Sequence, residues 1–148
     1  DSIQKQWLKR DKLFPEPIFT DHQEIVAIKC PYGPFMTVLD SKGSWSQDIL
    51  NKGPNAAIKH LVNSVVNSGA RYAFVGIGAL SLPLVAALKA KGVVAIHTGG
   101  ATQIMFGVKG LRWKNHAVIS KFFNEHWISP SISEVPSGAQ AVEGGCYW

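Results

Sequence analysis

A chain of 148 residues with 46% hydrophobic and 17% charged residues has the composition of a folded globular protein, which excludes intrinsic disorder as its overall state. At this length about 68–70% of the unfolded surface can be buried, so one compact domain over residues 1–148 is expected. The formal charge of +5 is spread along the chain, without the clustered Lys/Arg and interleaved aromatics of a nucleic-acid groove.

Cys30 and Cys146 are the only cysteines, too few for a disulfide framework or a four-cysteine zinc site, and they point to a reducing, cytoplasmic compartment. No apolar run reaches the roughly 18 residues of a membrane span. The chain starts at Asp1 without a signal-peptide pattern, as expected of a piece of a longer protein.

In chain order, Ile3, Trp7 and Leu8 suit a short amphipathic helix that Pro15 and Pro17 end. The apolar run over residues 25–28 predicts a buried strand, and residues 32–43 a loop. Ser44 is placed to cap a helical turn reaching Leu50. Gly53-Pro54 then starts a helix with proline at its favoured first position, and Ile58, Leu61, Val62 and Val65 fall at i, i+3, i+4 and i+7 to form a core-facing stripe. Residues 72–77 form a strand apolar on both faces, as when helices cover both sides of a parallel sheet. Ser81 caps the next helix, Leu84, Val85 and Leu88 pack it, and residues 93–96 form the following strand.

Strand, helix and strand within about 25 residues make a βαβ unit. With the strand at 25–28 the expected fold is α/β: a Rossmann-like, mostly parallel sheet with helices on both faces. A further amphipathic helix is expected near residues 116–124. Residues 129–148, with Pro130, Pro136 and Gly144-Gly145, read as an irregular tail.

The turn Gly76-Ile77-Gly78-Ala79-Leu80-Ser81 carries two glycines of a dinucleotide fingerprint. It has serine at the third, and His97-Thr98 stands where an acidic residue would bind a ribose; close packing of helix on strand explains both glycines equally well. In the second turn, free backbone N–H groups near Gly99 and Gly100 would converge with the Thr98 or Thr102 hydroxyl and the Gln103 amide on a phosphate. An ordinary tight connection is the plain alternative. Downstream, Lys109 and Arg112 can neutralise phosphate and Trp113 can stack on a base or sugar, although a solvated edge with a tucked indole has the same pattern.

Three segments carry a resemblance: Gly76 through Leu84; Ala95-Ile96-His97-Thr98-Gly99-Gly100-Ala101-Thr102-Gln103 continuing to Gly110-Leu111-Arg112-Trp113; and Val142-Glu143-Gly144-Gly145-Cys146-Tyr147-Trp148. Together, and more loosely with residues 6–15, they resemble the GT-D class of glycosyltransferases and their uncharacterised relatives. The resemblance implies transfer of a sugar from a nucleotide diphosphate donor, Gly78 included in the donor site, to a glycan or glycoprotein acceptor in surface glycan synthesis. It places this chain as the carboxyl-terminal portion of the unit.

Members of the class carry an acid-x-acid motif associated with donor and metal. Here no two of the ten acidic residues are separated by one position, Asp21 and Glu24 coming nearest, so no metal ligand is assigned: either a preceding segment holds Mn or Mg, or the chain is a relative without metal-dependent catalysis. For the base that takes the acceptor proton the chain offers Glu125, beside His126, and Glu143. A helix end accounts for the first equally well. The alternative function is a non-catalytic nucleotide- or glycan-binding module of a larger protein. The five tryptophans leave room for a homo-oligomer.

Overall fold

The computed structural model describes residues 1–30, 47–136, 138–141 and 143–148. The helices and strands are α1 (Ser2–Trp7), α2 (Gln47–Asn51), α3 (Pro54–Asn67), β1 (Tyr72–Val75), α4 (Ser81–Lys89), β2 (Val94–His97), α5 (Ala101–Met105) and α6 (Leu111–Lys114). Short 3-10 turns join them. The expected loop at 32–43 and the Ser44 cap lie outside the described residues. The chain divides into two compact units, residues 28–99 and residues 1–27 with 100–148.

The unit of residues 28–99 is mixed α/β. Its two strands pair in parallel, Tyr72 with Val94 and Val75 with His97 at the ends of the register. Pro54 opens α3 in the position where its missing N–H costs nothing, and Leu61, Val62 and Val65 of the expected stripe are buried. They pack with Ala57, Val75, Leu84, Leu88 and Val93 into one core, against which Ile28, Cys30, Ala73 and Ala95 also lie. Burial alone pushes the Cys30 thiol up to about 12.

One expectation is corrected here. Residues 25–28 form no strand, so the described sheet has two strands. The core lies on one face of this sheet, and among the described residues of this unit no helix packs on the other. Tyr72, Phe74, Val94 and Ile96 share the other face through the two-residue alternation of a strand, and each is exposed.

The second unit is built on aromatic packing and buried polar contacts. In α1 the buried residues are Ser2 and Gln6, and Leu8 is 80% exposed, against the expected apolar stripe. Gln6 Nε2 donates to the carbonyls of Gly107 (3.0 Å) and His126 (2.9 Å), which offsets the cost of burying an amide. Glu134 accepts from the Ser2 amide and hydroxyl and from the Ser131 amide; these bonds outweigh the opposing effect of burial and hold its pKa down to about 2. Leu13, Phe106, Val108 and Trp127 are buried, and the Trp127 indole donates to the Leu13 carbonyl at 2.7 Å. Phe19 stacks on Phe106 at 5.2 Å, and Phe14 and Phe123 flank Trp127 at 5.4 and 5.0 Å.

The helix expected near residues 116–124 is replaced by a 3-10 turn, Ile119–Phe122. His116 Nδ1 accepts from the amides of Val118 and Ile119, a local competitor that closes the turn before a regular helix forms. Residues 129–148 contain only 3-10 turns among the described residues.

Candidate anion-binding site

The chain passes from one unit to the other between Gly99 and Gly100, so the candidate residues fall into two groups. In the unit of residues 28–99 the carbonyl of Val75, at the end of β1, is the focus. It accepts from the amides of Thr98 (2.9 Å) and Gly99 (3.3 Å) and lies 3.4 Å from the Thr98 hydroxyl and 3.2 Å from His97 Nδ1. The Thr98 and Gly99 amides are therefore engaged, because the last carbonyl of a parallel strand needs donors of its own. Gly78 opens the 3-10 turn Gly78–Leu80 before α4. Ser81 is the first residue of α4 and not its cap; its hydroxyl accepts from the Ile77 amide at 3.0 Å, so the turn closes on itself where the fingerprint would leave a glycine.

The second unit holds the denser cluster. Gly110, in extended backbone, precedes α6 and lies against the chain end: an added Cβ there would come 2.8 Å from Gln103 Oε1, 3.1 Å from the Tyr147 carbonyl oxygen and 3.2 Å from that of Cys146. The Arg112 amide donates to the Cys146 carbonyl at 2.9 Å, and Gln103 Nε2 donates to the Tyr147 carbonyl at 2.6 Å. These contacts strap residues 146–147 onto α5 and α6.

The strap places the Arg112 guanidinium 4.7 Å from the centre of the Tyr147 ring and 5.6 Å from that of Trp113, two cation–π contacts on one cation. Gly100 lies beneath: an added Cβ would meet Trp113 Cζ2 at 3.2 Å and Arg112 Nη1 at 3.3 Å. The Gly100 turn is thus covered by side chains, and it presents a guanidinium in place of bare amides.

Glu143 Oε2 sits on Arg112 Nη2 at 2.5 Å. Its carboxylate also accepts from the Tyr147 hydroxyl at 3.3 Å and lies 3.5 Å from Cys146 Sγ. Partial burial works against the Arg112 charge, and the acidic neighbours Tyr147, Cys146 and Glu143 outweigh it, raising its pKa. Burial raises Tyr147 and Cys146 against the pull of Arg112, with Glu143 adding to the rise, so both stay protonated at neutral pH. Two buried atoms here, Gln103 Oε1 and Trp113 Nε1, have no hydrogen-bond partner.

Thr102 is on the short helix α5. Lys109 Nζ rests 5.8 Å from the centre of the Phe123 ring, and its amide donates to Ile128. Glu125, with an 86% exposed side chain, is 3.5 Å from His126 Nε2 and lines an open hollow of about 660 Å³ with Lys12, Phe14, Lys121 and Phe123. Glu125 and Glu143 therefore do not share one site. Sequence reasoning missed Tyr147 as a site residue, although it stands inside the carboxyl-terminal motif; no local pattern links it to Arg112, 35 positions earlier.

Among the described residues, no group of three or more His, Cys, Asp or Glu is placed to hold a metal ion. Among the described residues, too, no helix is long and apolar enough to cross a membrane. Comparison with protein-family models, curated proteins and solved structures finds no match for this chain.

Proposed function

We propose that this chain is the donor-binding portion of a cytoplasmic glycosyltransferase with a Rossmann-like core, taking a nucleotide diphosphate sugar and serving surface glycan or glycoprotein synthesis. The observation that carries the proposal is Arg112, a guanidinium held over Tyr147 and Trp113 at the Gly100 turn. A planar cation matches phosphate oxygens in a two-pronged geometry, and the neighbouring rings offer faces to a base or sugar. The carboxyl-terminal motif through Tyr147 supports the same reading, since its residues complete this cluster.

In such a transfer the acceptor hydroxyl forms a bond to the anomeric carbon while the bond to the diphosphate oxygen breaks. Arg112 neutralises charge on the departing diphosphate, and the acceptor proton goes to a carboxylate. Calorimetric titration of uridine and guanosine diphosphate sugars into the protein tests the proposal. Binding of at least one donor with mid-micromolar or tighter affinity is expected; no heat with any donor, with or without Mn²⁺, removes it.

A second reading, a nucleotide- or glycan-binding module without catalysis, is favoured by the two carboxylates. Glu143 is engaged by Arg112 and Glu125 lines a separate hollow, so no carboxylate stands free beside the guanidinium among the described residues. Donor hydrolysis or transfer by this chain alone excludes the second reading.

A further inference from the structure

We infer that the Glu143 carboxylate occupies the seat of the ligand's phosphate on Arg112 and must leave for the site to load, an inference that rests on the anion-site reading of Arg112. A carboxylate and a phosphate use the same donor face of a guanidinium, and Glu143 Oε2 is already on Arg112 Nη2. Glu143 is free to go: its side chain is 57% exposed, so releasing it exposes little new surface.

The backbone around Glu143 points the same way. Its φ of 47° lies in the left-handed region, and it is the one non-glycine residue with positive φ among the described residues. Such a conformation is disfavoured for a side chain with a Cβ and persists where contacts hold it. The contacts of this carboxylate are Arg112, the Tyr147 hydroxyl and Cys146 Sγ.

Immediately after Glu143 the chain supplies a hinge and then an anchor. Gly144 and Gly145 also have positive φ, 65° and 74°; a Cβ at Gly144 would meet nothing within 4 Å, whereas Gly145 is buried and a Cβ there would lie 2.8 Å from Gln140 Nε2. Beyond them, Cys146 and Tyr147 are fastened through their carbonyls to the Arg112 amide and the Gln103 side chain. Glu143 can therefore swing about Gly144 while Tyr147 stays under the guanidinium. The latch opens without dismantling the site.

The test is calorimetric titration of inorganic pyrophosphate and of uridine diphosphate into the wild type, Glu143→Gln and Glu143→Gly, with far-UV circular dichroism confirming that each is folded. Removing the carboxylate removes both an exposed ion pair and a like charge from the path of the ligand, so both variants should bind about three- to tenfold tighter than the wild type. Wild-type binding with equal or weaker binding by both variants overturns the latch and leaves Arg112 as an anion site. Binding by none of the three overturns the anion site and the latch together. If glutamine misfolds, the glycine variant, whose backbone suits φ of 47°, decides alone.

Discussion

Gly110→Ala is the substitution that reaches the site most directly without touching a functional group. The backbone of Gly110 is extended (φ −74°, ψ 154°) and acceptable to alanine, so any effect comes from the added methyl group. That methyl would lie 2.8 Å from Gln103 Oε1, and the amide cannot turn away without giving up its 2.6 Å bond to the Tyr147 carbonyl. It would also lie 3.1 and 3.2 Å from two backbone carbonyl oxygens, each of which must shift by a few tenths of an ångström. Overpacking of this kind costs about 1–3 kcal/mol. With a urea slope of about 2 kcal/mol per molar, the midpoint should fall by roughly 0.5–1.5 M.

Tryptophan fluorescence is the right probe, because Trp7, Trp113, Trp127 and Trp148 all belong to the unit of residues 1–27 and 100–148. The same variant should weaken binding of uridine diphosphate, since Tyr147 moves from beneath Arg112. An unchanged midpoint together with unchanged affinity would refute the claim that the chain end is strapped through Gly110.

Leu88→Ala, at a position with no exposed surface in the other unit, should cost about 2–5 kcal/mol, read by circular dichroism melting; a loss under about 1 kcal/mol would place Leu88 outside a packed core. Glu134, whose pKa falls from 4.5 to about 2 on folding, contributes stability that is complete above pH 4.5 and is lost as pH falls toward 2. Because the side chain is 23% exposed, the contribution is discounted to about 1–2 kcal/mol, and Glu134→Gln should flatten the acid limb of the stability profile measured by urea denaturation. An identical acid limb in the variant would remove Glu134 from that role. Trp127→Phe leaves the buried Leu13 carbonyl without its 2.7 Å donor and should lower the denaturation midpoint by the equivalent of about 1–3 kcal/mol; no change would show the carbonyl is satisfied otherwise.

The elements legible in the sequence are those whose signal is local. Pro54 and the stripe from Ile58 to Val65 specify α3, and the two apolar runs on either side of Leu84 and Leu88 specify the βαβ unit, since period and punctuation suffice there. The run at 25–28 looks alike but forms no ladder: a strand exists only where another strand offers hydrogen bonds, and four apolar residues do not carry that information. Periodicity locates α1 but not its buried face, whose residues Ser2 and Gln6 are polar and owe their place to partners more than a hundred positions away.

The site shows the same division. Arg112 and Trp113 are adjacent in sequence, and their association was readable from composition. Their union with Tyr147 and Glu143 depends on two carbonyl hydrogen bonds that bring residues 146–147 back to α5 and α6. Conversely, the amides of Thr98 and Gly99 had the right local pattern and were claimed by the Val75 carbonyl. A turn rich in glycine shows where amides can be free, and the neighbouring strand decides whether they are.

The central claim is that Arg112 is the anchor for a diphosphate. Its most direct measurement is the affinity of uridine diphosphate for the wild type and for Arg112→Lys, which keeps the charge and removes the planar fork. A drop of about 10- to 100-fold in the variant is the result expected from losing a two-pronged, aromatic-supported contact. Equal affinity in the two proteins would contradict the account.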